Sequence, residues 1–176
     1  MDLKNIILDK GDIQRILARI TCEIIERHKG VSNLVLIGIH TRGIFLAQRI
    51  GKRISDIEGI EVEFGAIDIT MYRDDWTKIS NHPVVKTTEI PFSVNGKHII
   101  LVDDVLFTGR TVRAAMDAVI DFGRPDRIEL AVLVDRGFRE LPIQADYVGK
   151  FIETRQHETV NVLFKEHDDI DAVTIE

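Results

Sequence analysis

Ile99-Ile100-Leu101-Val102-Asp103-Asp104-Val105-Leu106-Phe107-Thr108-Gly109-Arg110-Thr111 is the stretch on which the fold turns. Four apolar residues run into two adjacent carboxylates, and a turn bearing hydroxyls and a glycine follows. A helical pattern begins at Thr111. A short continuous apolar run of this kind suits a buried parallel strand. Acids at its carboxyl end stand where open α/β sheets bind their ligands. The turn leads into a helix N-terminus, whose free N–H groups and dipole favour phosphate. One segment can therefore hold both a polyhydroxyl sugar and its phosphate.

The flanking sequence alternates strand and helix patterns. Upstream, Gly11 to Lys29 reads as a helix, with Ile13, Ile16, Leu17, Ile20 and Ile24 on one apolar face and Gly30 placed to stop it. Asn33 to Ile39 reads as a buried strand, and the turn Thr41-Arg42-Gly43 leads to a helix near Ile44 to Ile54. Val62 to Ile69 is a partly alternating strand. Tyr72 to Pro91 is polar and weakly periodic, an excursion from the sheet. Ile99 to Asp103 is the central strand, Thr111 to Asp121 the next helix, and Gly123, Arg124 and Pro125 close it. Arg127 to Val134 is a further strand, with short late strands at Tyr147-Val148 and Val160 to Phe164. This alternation predicts an α/β fold with a mostly parallel central sheet flanked by helices.

The chain has 176 residues, which fits one domain, 1–176, with a full core. Its 44% hydrophobic and 30% charged residues match a soluble globular composition. No run approaches the roughly 18 apolar residues of a membrane span. The start, Met1-Asp2-Leu3-Lys4-Asn5, lacks the pattern of a signal peptide, and Cys22 is the single cysteine. Both features predict a cytoplasmic protein with an inert thiol. The net charge of −6 gives no support to a dedicated nucleic-acid binder, although a local basic patch would matter more than the total. The six histidines are scattered, without the spacing of a transition-metal site, and most read as surface residues.

The segment from Val102 to Ala118 resembles the ribose-phosphate signature of the type I phosphoribosyltransferases, and within them the PyrR family. Two further segments carry the same resemblance: Leu133-Val134-Asp135-Arg136-Gly137 continuing to Lys150, and Gly38-Ile39-His40-Thr41-Arg42-Gly43. PyrR proteins are bacterial regulators of pyrimidine operons, often with uracil phosphoribosyltransferase activity. The resemblance implies the type I fold, with a small hood and a mobile β-hairpin loop. It implies transfer of ribose 5-phosphate from phosphoribosyl pyrophosphate to uracil, giving UMP and pyrophosphate. Asp103 and Asp104 would contact the ribose hydroxyls, and carboxylates near C1 would also stabilise positive charge developing there. Val105, Leu106, Phe107, Thr108, Gly109, Arg110 and Thr111 would hold the 5′-phosphate. Thr41 and Arg42 would receive the leaving pyrophosphate, joined by Arg73 and Lys86 from a closing lid. Val134, Asp135, Arg136 and Val160 would form the base pocket. Mg²⁺ would arrive on the substrate, with no dedicated metal site in the chain.

The resemblance also implies binding of the pyr mRNA leader, promoted by UMP, through Arg15, Arg19, Arg27, Arg139, Lys150 and Arg155. The chain departs from the family pattern in that loop. Phe138 stands where histidine is usual, Gln144 where arginine is usual, and Phe151 where asparagine is common. A homodimer or larger homo-oligomer is expected. Two other readings stay open at this point: an RNA-binding regulator with little catalysis, and a phosphoribosyltransferase for another base.

Overall fold

A computed structural model describes residues 5–74 and 87–176. The elements in chain order are β1 (Ile6–Leu8), α1 (Lys10–His28), β2 (Leu34–Ile39), α2 (Arg42–Glu58) and β3 (Glu63–Ile67). A 3₁₀ turn (Thr70–Tyr72) follows, then β4 (His98–Leu106), α3 (Arg110–Ile120), β5 (Arg127–Asp135), β6 (Tyr147–Phe151), β7 (Val160–Leu163), α4 (Lys165–Asp168) and β8 (Ala172–Ile175). Five strands form a parallel sheet in the order β3-β2-β4-β5-β6. The expected α/β fold with a parallel central sheet and flanking helices is what the chain adopts.

Side-chain alternation along the strands builds two cores. Leu36, Ile100, Val102, Ala131 and Leu133 pack against Ile13, Leu17 and Ile20 of α1 and Leu46, Ala47 and Ile50 of α2. Val35, Ile37, Ile99, Leu101 and Val132 pack instead against Val112, Ala115, Ala118 and Val119 of α3. Each fully buried aliphatic side chain is worth about 1.5–3 kcal/mol. The helical stripe read in α1 is the face that enters the first core. A capping box between Asp9 and Asp12 starts this helix, with Asp12 N–H donating to Asp9 at 2.8 Å and Asp9 N–H to Asp12 at 3.1 Å.

A second, antiparallel sheet, β1-β8-β7, forms the hood. Its Leu8, Val160, Val162 and Val173 join the first core, so hood and main sheet share one apolar cluster. Strands β1 and β8 carry too few residues to stand out in the sequence, and neither was anticipated there.

Several boundaries differ from the sequence reading, those of α2, α1 and β4 among them. α2 begins at Arg42, two residues before Ile44, and continues to Glu58. Helix α1 ends on Lys29 in the left-handed conformation, one residue before Gly30. β4 does not end at Asp103 but runs to Leu106, because β5 continues to pair with it, Asp103 opposite Val132 and Leu106 opposite Asp135. The polar excursion begins with the 3₁₀ turn, and its return is pinned where Glu89 and Ala66 exchange backbone bonds of 2.8 Å. The expected hairpin lies largely outside the described residues.

Candidate active site

β2 is the shorter neighbour of β4. Their pairing stops at Gly38 opposite Val102, one residue before the acids. Asp103 and Asp104 therefore lie beyond the paired part of β2 while still held by β5. This opens a crevice at the sheet's carboxyl edge, lined by His40, and the Thr41-Arg42 turn that follows packs beside it without lining either cavity of that edge. Gly43 sets how closely: a Cβ there would overlap the Val102 carbonyl oxygen. The peptide bond between His40 and Thr41 is cis.

Two cavities adjoin along this edge. One, of about 300 Å³, is lined by Val105 to Val112 together with Arg73, Asp74 and Glu140. The other, of about 280 Å³, is lined by His40, Asp68, Thr70, Asp103 and Asp104 among others. Arg73, Val105 and Thr111 line both. The acid pair and the phosphate-loop residues named from sequence are thus brought to one continuous cleft. Lys86 lies outside the described residues.

The loop that would hold the phosphate is braced from behind. Gly109 has φ +92°, a left-handed conformation natural to glycine, and begins α3. The Thr108 carbonyl accepts the N–H groups of Glu140 and Leu141 at 3.0 and 3.2 Å. The Arg139 guanidinium donates to the carbonyls of Phe107 and Gly137 at 2.7 and 3.0 Å, to that of Ile143 at 3.0 Å, and pairs with Asp135. Segment 136–143 is therefore the scaffold of the loop, a role the sequence gives no local sign of. Arg110 stands at the helix start but is bridged to Glu140 at 2.6 Å and to Asp74.

Asp103 is 6% exposed, and its neighbour is half-buried. Burial pushes the Asp103 carboxyl well above the ordinary carboxylate range, and the adjacent Asp104 adds to this. Burial raises Asp104 as well, but the bond from Asp103, the Val105 N–H and the Arg42 guanidinium oppose it. Both carboxyls are thus raised, Asp103 the more strongly because nothing but the Asp104 backbone N–H opposes its burial. The Val105 N–H donates to Asp104 at 3.0 Å, and the Asp104 N–H to Asp103 at 3.0 Å.

Asp68 and His40 were missed in the sequence, where a lone acid after a strand and a lone histidine carry no pattern. Asp68 accepts the Thr70 N–H and hydroxyl at 2.9 and 2.6 Å, and His40 meets the Thr87 carbonyl at 3.0 Å. Arg42 forms a two-bond pair with Asp168 of α4.

The residues expected to form a base pocket, Val134, Asp135, Arg136 and Val160, are all buried. The Arg136 guanidinium stacks 4.1 Å over the Phe107 ring and donates to the Arg155 carbonyl at 3.2 Å. Its Nε is buried without a hydrogen-bond partner among the described residues.

The cations named for RNA are not gathered. Arg15, Arg19 and Lys150 stand where α1 meets β6; Arg15 pairs with Asp12, and Arg19 donates to the Val148 and Gly149 carbonyls. Arg27 lies about 12 Å further along the helix, paired with Glu129 and Asp146. Arg139 is engaged inside the loop scaffold described above, and Arg155 lies exposed between β6 and β7. Cys22 is exposed on α1. Among the described residues no set of three or more His, Cys, Asp or Glu could hold a metal ion, and no helix is long and apolar enough to cross a membrane.

A parallel sheet whose acid pair adjoins a glycine-threonine phosphate loop, roofed by an antiparallel hood, defines the type I phosphoribosyltransferase class. The family model for the phosphoribosyl transferase domain matches residues 5–167. In backbone the chain is similar to hypoxanthine phosphoribosyltransferases from Staphylococcus aureus (TM-score 0.73, 21% identity, 98% of this chain and 92% of that one) and from Trypanosoma cruzi (TM-score 0.74, 18% identity, 98% and 95%). It is 60% identical over 169 residues to the bifunctional protein PyrR of Clostridioides difficile, covering 96% of each. It is 59% identical over 177 residues to that of Bacillus mycoides, covering 99% of this chain and 98% of the other. The chain belongs to the PyrR family. That homology is consistent with transferase chemistry combined with a nucleotide- and mRNA-linked regulatory role. The fold generally works on phosphoribosyl pyrophosphate as its Mg²⁺ complex.

Proposed function

We propose that the protein, acting over 1–176 as one unit, transfers ribose 5-phosphate from phosphoribosyl pyrophosphate to uracil. The observation that carries this reading is the buried acid pair opening into the same cleft as the phosphate loop. The 5′-phosphate sits on the N–H groups and hydroxyls of Thr108, Gly109 and Thr111 at the start of α3. Asp103 and Asp104 face the ribose. The C1–oxygen bond to pyrophosphate breaks as uracil N1 bonds to C1, and the N1 proton leaves to solvent. Positive charge grows at C1 in the transition state, where a preorganised carboxylate stabilises it. Arg42, Thr41 and Arg73 offset the charge of the departing pyrophosphate.

Mg²⁺ suits this donor set. Asp68, Asp103 and Asp104 offer hard oxygens at the second cavity, and Mg²⁺ binds through one or two carboxylates plus substrate phosphates and water. It would be held chiefly by the substrate, and it supplies charge neutralisation on the pyrophosphate.

Val134, Asp135, Arg136 and Val160 would receive the uracil, as the resemblance to the family implies. The unpartnered Arg136 Nε supplies a donor for a pyrimidine carbonyl, and an unmet buried donor is costly until a ligand satisfies it. UMP, the product, is the effector that promotes binding of the pyr mRNA leader by a homo-oligomer in which basic residues of two subunits combine.

Conversion of labelled uracil to UMP, dependent on phosphoribosyl pyrophosphate, tests the catalytic reading. No UMP at saturating substrate would defeat it, and a clear preference for hypoxanthine or orotate in competition would reassign the base. A gel shift with the pyr leader, with and without UMP, tests the regulatory reading. It should show a UMP-enhanced complex that weakens steeply as salt rises. Absence of a shift at micromolar protein and low salt would remove RNA from the function.

A further inference from the structure

Helix α2 presents Arg42, Phe45 and Arg49 to the segment that follows β7. Their spacing of three and four residues places them on one helix face. Phe45 packs edge-on to Phe164, with ring centroids 6.5 Å apart, and stacks on His167 at 6.3 Å. Arg49, two turns from the cleft, donates to Glu166 at 2.9 and 2.6 Å and to Asp171 at 2.6 Å. Arg42 stands at the cleft end of the same face. Its Nη2 donates to Asp168 Oδ1 at 2.9 Å and its Nε to Asp168 Oδ2 at 3.3 Å. The same Oδ2 accepts the Phe164 backbone N–H at 3.0 Å. Phe164 directly follows β7, the strand that begins with Val160.

We propose that Asp168 is a positioning residue for the transfer reaction. Its carboxylate holds the Arg42 guanidinium at the cleft for the leaving pyrophosphate and ties that arginine to the hood strand bearing Val160. The proposal rests on the transferase reading of the cleft.

Three observations support it. A guanidinium carries five N–H donors, and Asp168 engages Nε and Nη2 along one edge, leaving Nη1 to meet an anion. Asp104 exerts a competing attraction on Arg42 from within the cleft, so an unrestrained fork would fold onto Asp104 and neutralise the carboxylate that faces the ribose. Asp168 is also built to stay charged. Burial alone would raise its carboxyl, but Arg42 and the Phe164 N–H hold it below the ordinary carboxylate value. One carboxylate thus joins the leaving-group side of the cleft to the base side.

Asp168→Asn keeps the shape and an acceptor for the Phe164 N–H but removes the charged grip. Three readouts on the full chain test it: thermal melting, steady-state kinetics, and calorimetric binding of inorganic pyrophosphate with Mg²⁺. The variant should unfold cooperatively and somewhat below the wild type, because the depressed Asp168 carboxyl contributes stability at neutral pH. It should raise the KM for phosphoribosyl pyrophosphate and the Kd for pyrophosphate about tenfold or more, and leave the KM for uracil unchanged. Asp168→Glu, which keeps the charge, should recover part of the loss. Glu166→Gln loosens the neighbouring clasp without touching Arg42 and should bind pyrophosphate as the wild type does. Unchanged pyrophosphate binding in Asp168→Asn overturns the proposal. So does an equal loss in Glu166→Gln, because Asp168 would then serve only to dock the hood. A wild type that neither forms nucleotide nor binds pyrophosphate takes down the transferase reading itself, whereas a wild type that does both, matched by Asp168→Asn, rejects Asp168 alone.

Discussion

Asp103 serves the cleft at a cost to the fold. An unfolded aspartate releases its proton near 3.8, while burial makes folded Asp103 keep it to higher pH. Between those two points the folded chain binds the extra proton, so stability falls as pH rises through the window. Above it the cost is fully present. Asp103→Asn removes the ionisable group, so it should melt higher than the wild type at pH 7–8, and the gain should vanish toward pH 4. Melting shifts roughly 2–4 °C per kcal/mol for a chain of this size. Turnover should fall on the order of 10²-fold, as removal of one charge-stabilising group does elsewhere. Melting curves over pH, beside turnover, test both; a variant less stable than the wild type at neutral pH would show that Asp103 carries no net cost to the fold.

Among the elements, the approach of α2 to β4 matters most for the cleft. Helix α2 starts at Arg42 only because Gly43 lets its first turn lie on the Val102 carbonyl. Gly43→Ala should push that turn away, costing about 1–3 kcal/mol as overpacking does. Pyrophosphate affinity should fall with it, since Thr41 and Arg42 move too. A variant of wild-type melting temperature and pyrophosphate affinity would contradict this account. The adjacent acids, the Thr-Gly turn and the helix after it were legible, because strand run, turn chemistry and helix period follow one another within 13 residues. The length of β4 was not legible. Two carboxylates in a row read as an end, but the pairing of β5 through Asp135 carries the strand past them.

Across the whole molecule, the amino edge of the sheet holds a buried ionic network that scattered single residues concealed. Glu129, 3% exposed, accepts from His28 at 2.7 Å and Tyr147 at 3.1 Å, and Arg27 lies 3.2 Å away. His98 meets His28 at 3.4 Å. His28 is therefore an exception to the surface placement read for most of the histidines: the fold closes three strands and the end of α1 over it. Burial opposes ionisation of Glu129, but its His28, Tyr147 and Arg27 partners outweigh that and hold its carboxyl below the ordinary value. The stability it contributes is present at neutral pH and lost as pH falls through the acid range. Glu129→Ala strands its partners and should cost on the order of 3 kcal/mol at pH 7, with a gap to the wild type that narrows in acid. Glu129 precedes Asp135 by six strand residues, roughly 20 Å. The KM values should therefore stay unchanged, and a raised KM for either substrate would link this edge to the cleft.

Local order carried the alternation of strand and helix, the acid pair, the phosphate turn and the apolar stripe of α1. Each rests on residues close together in the chain, where periodicity and turn chemistry act directly. Distant partners were decided only in three dimensions. Arg139 became a brace for the loop at Phe107, and Arg42 found Asp168 more than a hundred residues away. An arginine reads the same in sequence whether it faces solvent, phosphate or an internal carboxylate. Its partner is set by which segments the packed cores bring together, and that choice belongs to the tertiary fold.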